Sequence, residues 1–245
     1  VVVASVGMFA PVVEPDLEWD FRLNSVWSIN CSGHKYGLVY PGIGWVIWRS
    51  KEALPEDLIF WVSYLGGEEA TMAINFSRSA SQIVGQYYVL MRNGFEGFRE
   101  IQERTLDVAR YLAAEIEGMG MFELYEDAGH IPIVCWGLKE DANVAWSLYD
   151  LSDRLRMNGW LVPAYPMPAD MQETTVQRVV ARQDFSMQLA IKLVEDIKQE
   201  IDTLSKARFV TGNTQGVINT GFDHSGRSAA DRGDGVKGKA PTSQK

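Results

Sequence analysis

The sequence predicts an α/β protein in which a strand-rich part is followed by two helices and then by a small α+β unit. Short runs of β-branched and aromatic residues bounded by glycine, such as residues 44–49, predict strands in the first part of the chain. From about Ser79 onward the apolar residues recur at helical spacing. Beyond Gly120, short strand patterns and two helical patterns predict the α+β unit.

The strand-rich part contains two predicted strands. Residues 1–4 have the apolar pattern of a short buried strand, and residues 44–49 have the aromatic and β-branched pattern of another. Residues 27–30 form a further short apolar run. The charged and proline-containing residues 50–57 predict a surface connection, and the Gly-Gly pair at 66–67 marks a turn.

Two helices are predicted next. The first begins near Ser79 and ends at Asn93-Gly94, and the second ends at Gly118 and Gly120. The second helix has one apolar stripe, with successive spacings of four, three, four and four residues. The stripe consists of Ile101, Thr105, Val108, Leu112 and Ile116.

The α+β unit is predicted to contain three strands and two helices. Its elements are the strands 122–125, 131–138 and 174–181 and the helices 145–157 and 185–204. Asp184 or Ser186 is a suitable N-cap for the last helix. The face of that helix expected to lie against the core carries Ala190, Leu193, Ile197, Ile201 and Leu204.

Composition excludes several classes of function. The chain has 245 residues, a formal net charge of −9 and 46% hydrophobic residues, and an acidic surface repels phosphate backbones, so nucleic-acid binding is not expected. No apolar run approaches the roughly 18 consecutive residues of a membrane span. Cys31 and Cys135 form neither a disulfide framework nor a metal-ligand pattern, so we expect no metal and a reducing, cytoplasmic location.

Lys35 has unusual neighbours in the segment 32–37, Ser-Gly-His-Lys-Tyr-Gly. Most lysines are solvated surface charges. Here, however, Gly33 and Gly37 allow a sharp turn or a close approach to a ligand, and His34 can donate to a phosphate. The apolar residues 38–40 follow, so we expect a partly desolvated amine, which is a better nucleophile toward carbonyls. The residues alone fit both a surface lysine and a lysine that binds pyridoxal phosphate (PLP).

The segment 28–38, Ser-Ile-Asn-Cys-Ser-Gly-His-Lys-Tyr-Gly-Leu, strongly resembles the glutamate decarboxylases. These enzymes belong to the PLP-dependent decarboxylases of the aspartate-aminotransferase-like fold, fold type I. The resemblance extends over roughly residues 4–205. Other segments that carry it are 15–23, 42–49, 64–67, 75–78, 148–152 and 159–164.

The resemblance implies a fold and a division of the chain. Residues 1–95 would be the C-terminal part of a large PLP-binding α/β domain, and residues 96–207 would be the small C-terminal α+β domain. Residues 208–245 are rich in Gly, Ser, Thr and Asp and poor in large apolar residues, so we expect a disordered tail.

The resemblance also implies roles for the residues around the lysine. Lys35 would be the Schiff-base lysine, and His34 and Ser32 would contact the cofactor phosphate. The expected reaction is the decarboxylation of L-glutamate to 4-aminobutyrate and carbon dioxide. The alternatives left open are a decarboxylase of another, aromatic amino acid and a truncated homologue that catalyses nothing.

Two further sites are implied away from the lysine. Phe76 and Ser77 would reach the cofactor site of a neighbouring subunit, which implies a homodimer or a larger assembly of dimers. Arg178 matches the family arginine that pairs with a substrate carboxylate, for which a guanidinium fork is well suited. The structural alternatives are core packing for Phe76 and an ordinary ion pair for Arg178.

One position departs from the family pattern. The family has an aspartate in the strand before the lysine, where it pairs with the protonated pyridine nitrogen and keeps the ring an electron sink. Alignment on Ser5, Gly7 and Pro11 places that aspartate at Val2. The regions that stack on the ring and bind most of the phosphate are expected before residue 1. This chain alone is therefore not expected to form a complete active site.

Overall fold

The computed structural model describes residues 6–64, 66–74 and 77–206. The strand predicted at residues 1–4 and the tail predicted at 208–245 lie outside these ranges. Within them, two small two-stranded sheets precede a long helix, and a four-stranded sheet with two further helices follows.

The first part of the chain contains a short helix, α1 (Ala10–Val13), and two antiparallel strand pairs. Strands β1 (Ser28–Ser32) and β2 (Gly44–Trp48) form one pair, which confirms the strand predicted at 44–49. Strands β3 (Phe60–Tyr64) and β4 (Gly67–Thr71) form the other pair around a turn at Gly66, whose φ is +87°. The turn was predicted there, but its two strands were not.

The long helix α2 (Ser81–Gly118) is broken at Gly94, where φ is 62° and ψ is −170°. This backbone conformation is open essentially to glycine alone, so the two predicted helices exist as two halves that meet at this residue. Four of the five residues of the predicted stripe in the second half are buried, namely Thr105, Val108, Leu112 and Ile116, and Ile101 is half-buried. The predicted domain boundary at 95–96 falls just after the break, and it stays a prediction.

The rest of the chain forms an antiparallel sheet of four strands in the order β5-β6-β8-β7. Its strands are β5 (Phe122–Asp127), β6 (Ile133–Leu138), β7 (Ala164–Pro166) and β8 (Thr175–Val180). Three of them match predicted strands, and β7 was not predicted. The core-facing side of this sheet packs on helices whose buried residues belong to the same hydrophobic cluster.

The two remaining helices begin at side-chain caps. Helix α3 (Leu148–Met157) starts after Ser147, which forms a reciprocal capping box with Asp150, so it begins three residues later than predicted. Helix α4 (Met187–Lys206) starts after Ser186, whose hydroxyl accepts a hydrogen bond from the Leu189 amide at 3.3 Å. The predicted core face of α4 is confirmed in full, since all five of its residues are buried.

One hydrophobic core connects the segment around Phe9 with the last described helix, α4. Phe9 and Tyr36 belong to the same buried cluster as residues of α2, α3 and α4. Their rings meet edge to face, with centroids 5.4 Å apart. The turn that carries Lys35 is therefore packed against the core through its neighbour Tyr36. Among the described residues, no helix combines the length and the apolar character needed to cross a bilayer.

Gly94→Ala is expected to lower the free energy of unfolding by about 1–3 kcal/mol, because a Cβ forces strain into this backbone conformation. Urea unfolding followed by circular dichroism measures the change. Gly118→Ala in the same helix is the control, since Gly118 has open space around its Cβ position. It should leave stability unchanged or raise it by up to about 1 kcal/mol. Equal losses in both variants would contradict the role given to Gly94.

Candidate functional site

Lys35 lies in a tight turn directly after strand β1. The Lys35 amide donates to the Ser32 carbonyl at 3.4 Å, and the Leu38 amide donates to the Lys35 carbonyl at 3.2 Å. Leu38 has a φ of 62°, in the left-handed region that branched residues rarely adopt. Such strain persists only where the surroundings impose it, and it is concentrated at functional sites.

The side chain of Lys35 borders a cleft of about 330 Å³ between the turn and the segment that follows β8. The turn contributes residues 34–36 and 38–40, and the other wall consists of Arg182, Gln183 and Asp184. Lys35 is exposed, which corrects the expected partial desolvation of its amine by the apolar residues that follow. Leu38 and Val39 are half-buried and line the same cleft.

The two glycines beside Lys35 serve close packing of the turn within the protein. A Cβ on Gly33 would lie 2.5 Å from Oε1 of Gln86, and a Cβ on Gly37 would overlap with the carbonyl of Gly33. Neither position tolerates a side chain while the turn keeps this shape. Of the two roles predicted for these glycines, the sharp turn is the one that the structure shows, through contacts with Gln86 and within the turn itself.

Tyr36 connects the lysine turn to the other wall of the cleft. Its hydroxyl donates to the carbonyl of Ala181 at 2.9 Å, and the ring is buried. Burial raises the pKa of the Tyr36 hydroxyl far above its ordinary value, while the positive charge of Arg182 opposes the shift. Tyr36 therefore stays a neutral donor and fixes the residue next to Arg182 relative to Lys35.

His34 and Ser32 flank the lysine on the strand side. Ser32 is the half-buried last residue of β1. His34 borders the cleft, and its Nδ1 is buried without a hydrogen-bond partner among the described residues. A buried nitrogen of this kind is usually satisfied by a partner. A polar group of a ligand at the cleft could supply the partner that this nitrogen lacks among the described residues.

Ser77 and Arg178, the other predicted site residues that follow in the described part of the chain, do not border this cleft. Phe76 lies outside the described residues, and Ser77 is exposed between β4 and α2. Arg178 is exposed on β8, opposite Cys135 of β6. Its guanidinium carbon lies 5.8 Å from the centre of the Tyr165 ring, a cation–π distance. The structure thus brings together Lys35 and His34, and it leaves Arg178 on the outer side of the sheet.

Sequence reasoning missed three residues around the turn. Arg182 borders the cleft with Lys35, and Gln86 and Gln102 donate hydrogen bonds to the turn from α2. Arg182 lies four residues after the predicted Arg178, so proximity to a predicted site was the only available signal. Gln102 lies on the buried face of α2 between Phe98 and Thr105, and a polar residue at that position was the signal to notice, whereas Gln86 has no buried helical neighbours of this kind.

Comparison with known proteins identifies relatives of this chain. Residues 1–139 match the family model described as the pyridoxal-dependent decarboxylase conserved domain. A glutamate decarboxylase of Lactococcus lactis subsp. cremoris is 58% identical over 221 residues, which cover 90% of this chain and 47% of the relative. The chain thus spans about half the length of the curated relatives it matches.

Solved structures give the same assignment. The glutamate decarboxylase of Lactobacillus brevis superposes with a TM-score of 0.80 at 56% identity, over 85% of this chain and 47% of that one. A sphingosine-1-phosphate lyase of Burkholderia pseudomallei superposes with a TM-score of 0.67 at 18% identity over 83% of this chain and 45% of that one, which shows a shared fold. The fold is that of the PLP-dependent enzymes of fold type I. Within that class, the chain belongs to the pyridoxal-dependent decarboxylase family.

The residues present fit one side of a bound PLP. The exposed amine of Lys35 is available for covalent attachment to an aldehyde, and the unpartnered Nδ1 of His34 lies beside it. The cleft has a volume of about 330 Å³ and is bordered by both residues and by Arg182. The described residues therefore offer an amine and polar groups of the kind that such a cofactor needs.

Tyr36→Phe is expected to lower the free energy of unfolding by about 1–2 kcal/mol, because the Ala181 carbonyl loses its donor in a buried place. Urea unfolding measures the loss. Tyr40→Phe is the matched control, because Tyr40 is 85% exposed and should change stability by less than about 0.5 kcal/mol. A Tyr36→Phe variant as stable as the control would show that this bond does not hold the turn.

Proposed function

We propose that this chain is the C-terminal part of a PLP-dependent glutamate decarboxylase, which converts L-glutamate to 4-aminobutyrate and carbon dioxide. The observation that carries the proposal is the exposed amine of Lys35, which borders a cleft beside the unpartnered His34 Nδ1 in a chain of this family. The substrate is proposed from the 58% identity to a protein named glutamate decarboxylase.

Lys35 is proposed to hold the cofactor through its ε-amine, and His34 and Ser32 to contact the phosphate. When bound, PLP supplies an electron sink for the electron pair left on the α-carbon as carbon dioxide departs. The chain's own contribution is to hold the lysine amine at the cleft, where it is free to give way to the substrate amine and return after the α-carbon has been protonated.

Arg178 is proposed to pair with a substrate carboxylate. Its guanidinium is exposed and makes no ion pair within the described residues, so all of its donors are available to an incoming carboxylate. Arg182 borders the Lys35 cleft but already contacts Asp184 at 3.8 Å. The proposal for Arg178 rests on the family resemblance of its segment and on this unengaged charge.

We propose that the protein works as a homodimer or a larger assembly, in which Phe76 and Ser77 approach the neighbouring subunit's cofactor site. Large apolar side chains are exposed on β2, β3 and the first half of α2, and contiguous apolar surface commonly marks an interface. They include Trp45, Ile47, Phe60, Trp61, Tyr87 and Met91. The rest of the large domain and the second subunit would share this surface. A cytoplasmic location is proposed from the two cysteines, which are both free thiols.

The test of the lysine uses a completed protein, in which the part of the Lactococcus lactis relative that this chain does not match is fused to this chain. Borohydride reduction after incubation with PLP should place a stable PLP adduct on Lys35, identified by mass spectrometry of the peptide. Lys35→Ala should abolish this adduct and the cofactor absorbance near the visible edge. Lys51→Arg is the control, because Lys51 is exposed and distant in sequence, and it should change neither reading. If the Lys35→Ala variant still carries the PLP adduct on another lysine, Lys35 is not the cofactor-binding lysine.

The substrate is tested on the same completed protein by carbon dioxide release. L-Glutamate should be decarboxylated at least about 100-fold faster than L-tyrosine, because a site that pairs a carboxylate side chain rejects substrates that leave its charge unpaired. Arg178→Met should lower kcat/KM for glutamate by at least about tenfold, the cost of one charge-assisted pair. Equal rates on glutamate and tyrosine would favour the aromatic amino-acid alternative.

A non-catalytic homologue is the second candidate. The observation that favours it is Val2, at the position where the family has the aspartate that keeps the pyridine ring protonated. In the completed protein, Val2→Asp distinguishes the two readings. If the completed protein with Val2 unchanged decarboxylates glutamate, the hypothesis of a non-catalytic homologue is wrong. If only the Val2→Asp variant is active, that hypothesis is supported.

A further inference from the structure

We infer that Gln86 and Gln102 are positioning residues that fix the turn of Lys35 through hydrogen bonds to its backbone carbonyls. The inference rests on the proposed role of Lys35 as the cofactor-binding lysine. It adds a function for two buried side chains that lie 49 and 66 residues away in sequence from the groups they bind.

The two bonds hold consecutive carbonyls of the turn. Nε2 of Gln102 donates to the carbonyl of Tyr36 at 2.8 Å, and Nε2 of Gln86 donates to the carbonyl of Gly37 at 2.8 Å. Both glutamines are buried, with 1% of Gln86 and none of Gln102 exposed. Backbone carbonyls in a buried turn cannot pair within a sheet ladder, so a side-chain donor is the means by which they are satisfied.

The glutamines are buried at a cost that only these bonds offset. In both residues the other amide atom, Oε1, is buried and has no hydrogen-bond partner in the part of the chain that the structure describes. An apolar side chain would fill either place without leaving an unpaired oxygen. The polar residue is therefore explained by the donated bond, and the bond acts on the residues that directly follow Lys35.

The geometry of the helix fits this function. Gln86 and Gln102 lie on opposite sides of the break at Gly94, so each half of α2 contributes one donor. Gly33 and Gly37 leave the room in which Oε1 of Gln86 lies against the turn. The strained Leu38 follows at once, with φ 62°, and the two bonds supply the surroundings that hold it there.

The hydrogen bonds from the two glutamines also determine the direction of the Lys35 side chain. The carbonyls of Tyr36 and Gly37 are fixed on the buried side, so the Lys35 side chain is directed to the opposite, solvent-facing side at the cleft. Loss of either donor should free the turn to relax from the Leu38 strain. The amine would then be presented at the cleft for only part of the time.

The experiment compares Gln86→Met and Gln102→Met in the completed protein, because methionine keeps the length of the side chain and removes the donor. The amount of PLP trapped on Lys35 at a subsaturating PLP concentration should fall at least about fivefold, the effect of losing one hydrogen bond of ordinary net strength. The induced circular dichroism of the bound cofactor should fall as well, since it reports a fixed orientation.

Gln177→Met is the matched control. Gln177 is also fully buried, also donates Nε2 to a backbone carbonyl, that of Val162 at 3.0 Å, and also leaves its Oε1 unpaired among the described residues. It lies in the four-stranded sheet, and its donated bond goes to Val162 and not to the turn. This variant should retain its trapped PLP and its cofactor dichroism. If it loses as much of both as Gln102→Met does, the effect is one of general destabilisation and the inference is wrong.

Gln102→Glu provides a test within one folded molecule. A protonated carboxyl can donate to the Tyr36 carbonyl as the amide does, whereas an ionised carboxylate can only repel it. Burial keeps a carboxyl protonated to higher pH. The ratio of PLP trapped by Gln102→Glu to that trapped by the parent protein should approach one at acidic pH and fall at least about fivefold as the carboxyl ionises. A ratio that does not change with pH contradicts the inference. This test remains valid even when the methionine variants fail to fold.

The outcomes separate this inference from the proposed function. If Lys35→Ala retains the PLP adduct, the proposed function fails and the inference falls with it. If the adduct depends on Lys35 but the Gln86 and Gln102 variants behave like Gln177→Met, the proposed function stands and the inference is wrong.

Discussion

The shape of the lysine turn and its cleft depends on side-chain hydrogen bonds to three backbone carbonyls near Lys35. Those of Tyr36 and Gly37 accept from glutamine amides of α2, and that of Ala181 accepts from the Tyr36 hydroxyl. None of the three is paired in a sheet ladder, and a buried carbonyl without a donor costs on the order of 1–3 kcal/mol. These side-chain bonds therefore join the lysine turn to the long helix and to the end of β8, and they set the walls of the cleft.

The same arrangement makes the turn asymmetric. Its inner side is fixed by glutamine amides and by the core that contains Tyr36, while its outer side presents the exposed amine of Lys35. The exposed apolar residues of β2, β3 and α2 form surface of a kind that is normally covered by other protein. With Lys35 in its proposed role, protein covering this surface would supply further walls around the cofactor.

The sequence predicted the elements whose signal is local. The stripes of α2 and α4, the strand at 44–49 and the break at Gly94 all depend on spacing or on one glycine. Strand β4 was missed because its residues, Gly-Glu-Glu-Ala-Thr, are exposed and lack an apolar alternation. Gln86, Gln102 and Arg182 were missed for a different reason. Their importance comes from contacts with residues far away in sequence, and the local signals, such as a polar residue on the buried face of α2, do not show which group is contacted.

The role proposed for Arg178 requires that its side chain can exchange its present contact for a substrate carboxylate. Its guanidinium lies over Tyr165, an exposed cation–π contact of about 0.5–1 kcal/mol. A bidentate bond to a carboxylate is stronger than this contact, because both partners are charged and two donors act together. The side chain can therefore leave Tyr165 when a carboxylate arrives, at small cost. The end of β8 is meanwhile held against the lysine turn, because the Tyr36 hydroxyl donates to the carbonyl of Ala181, three residues after Arg178. Any movement of the guanidinium toward a carboxylate would then be made by the side chain on a backbone whose position is already fixed.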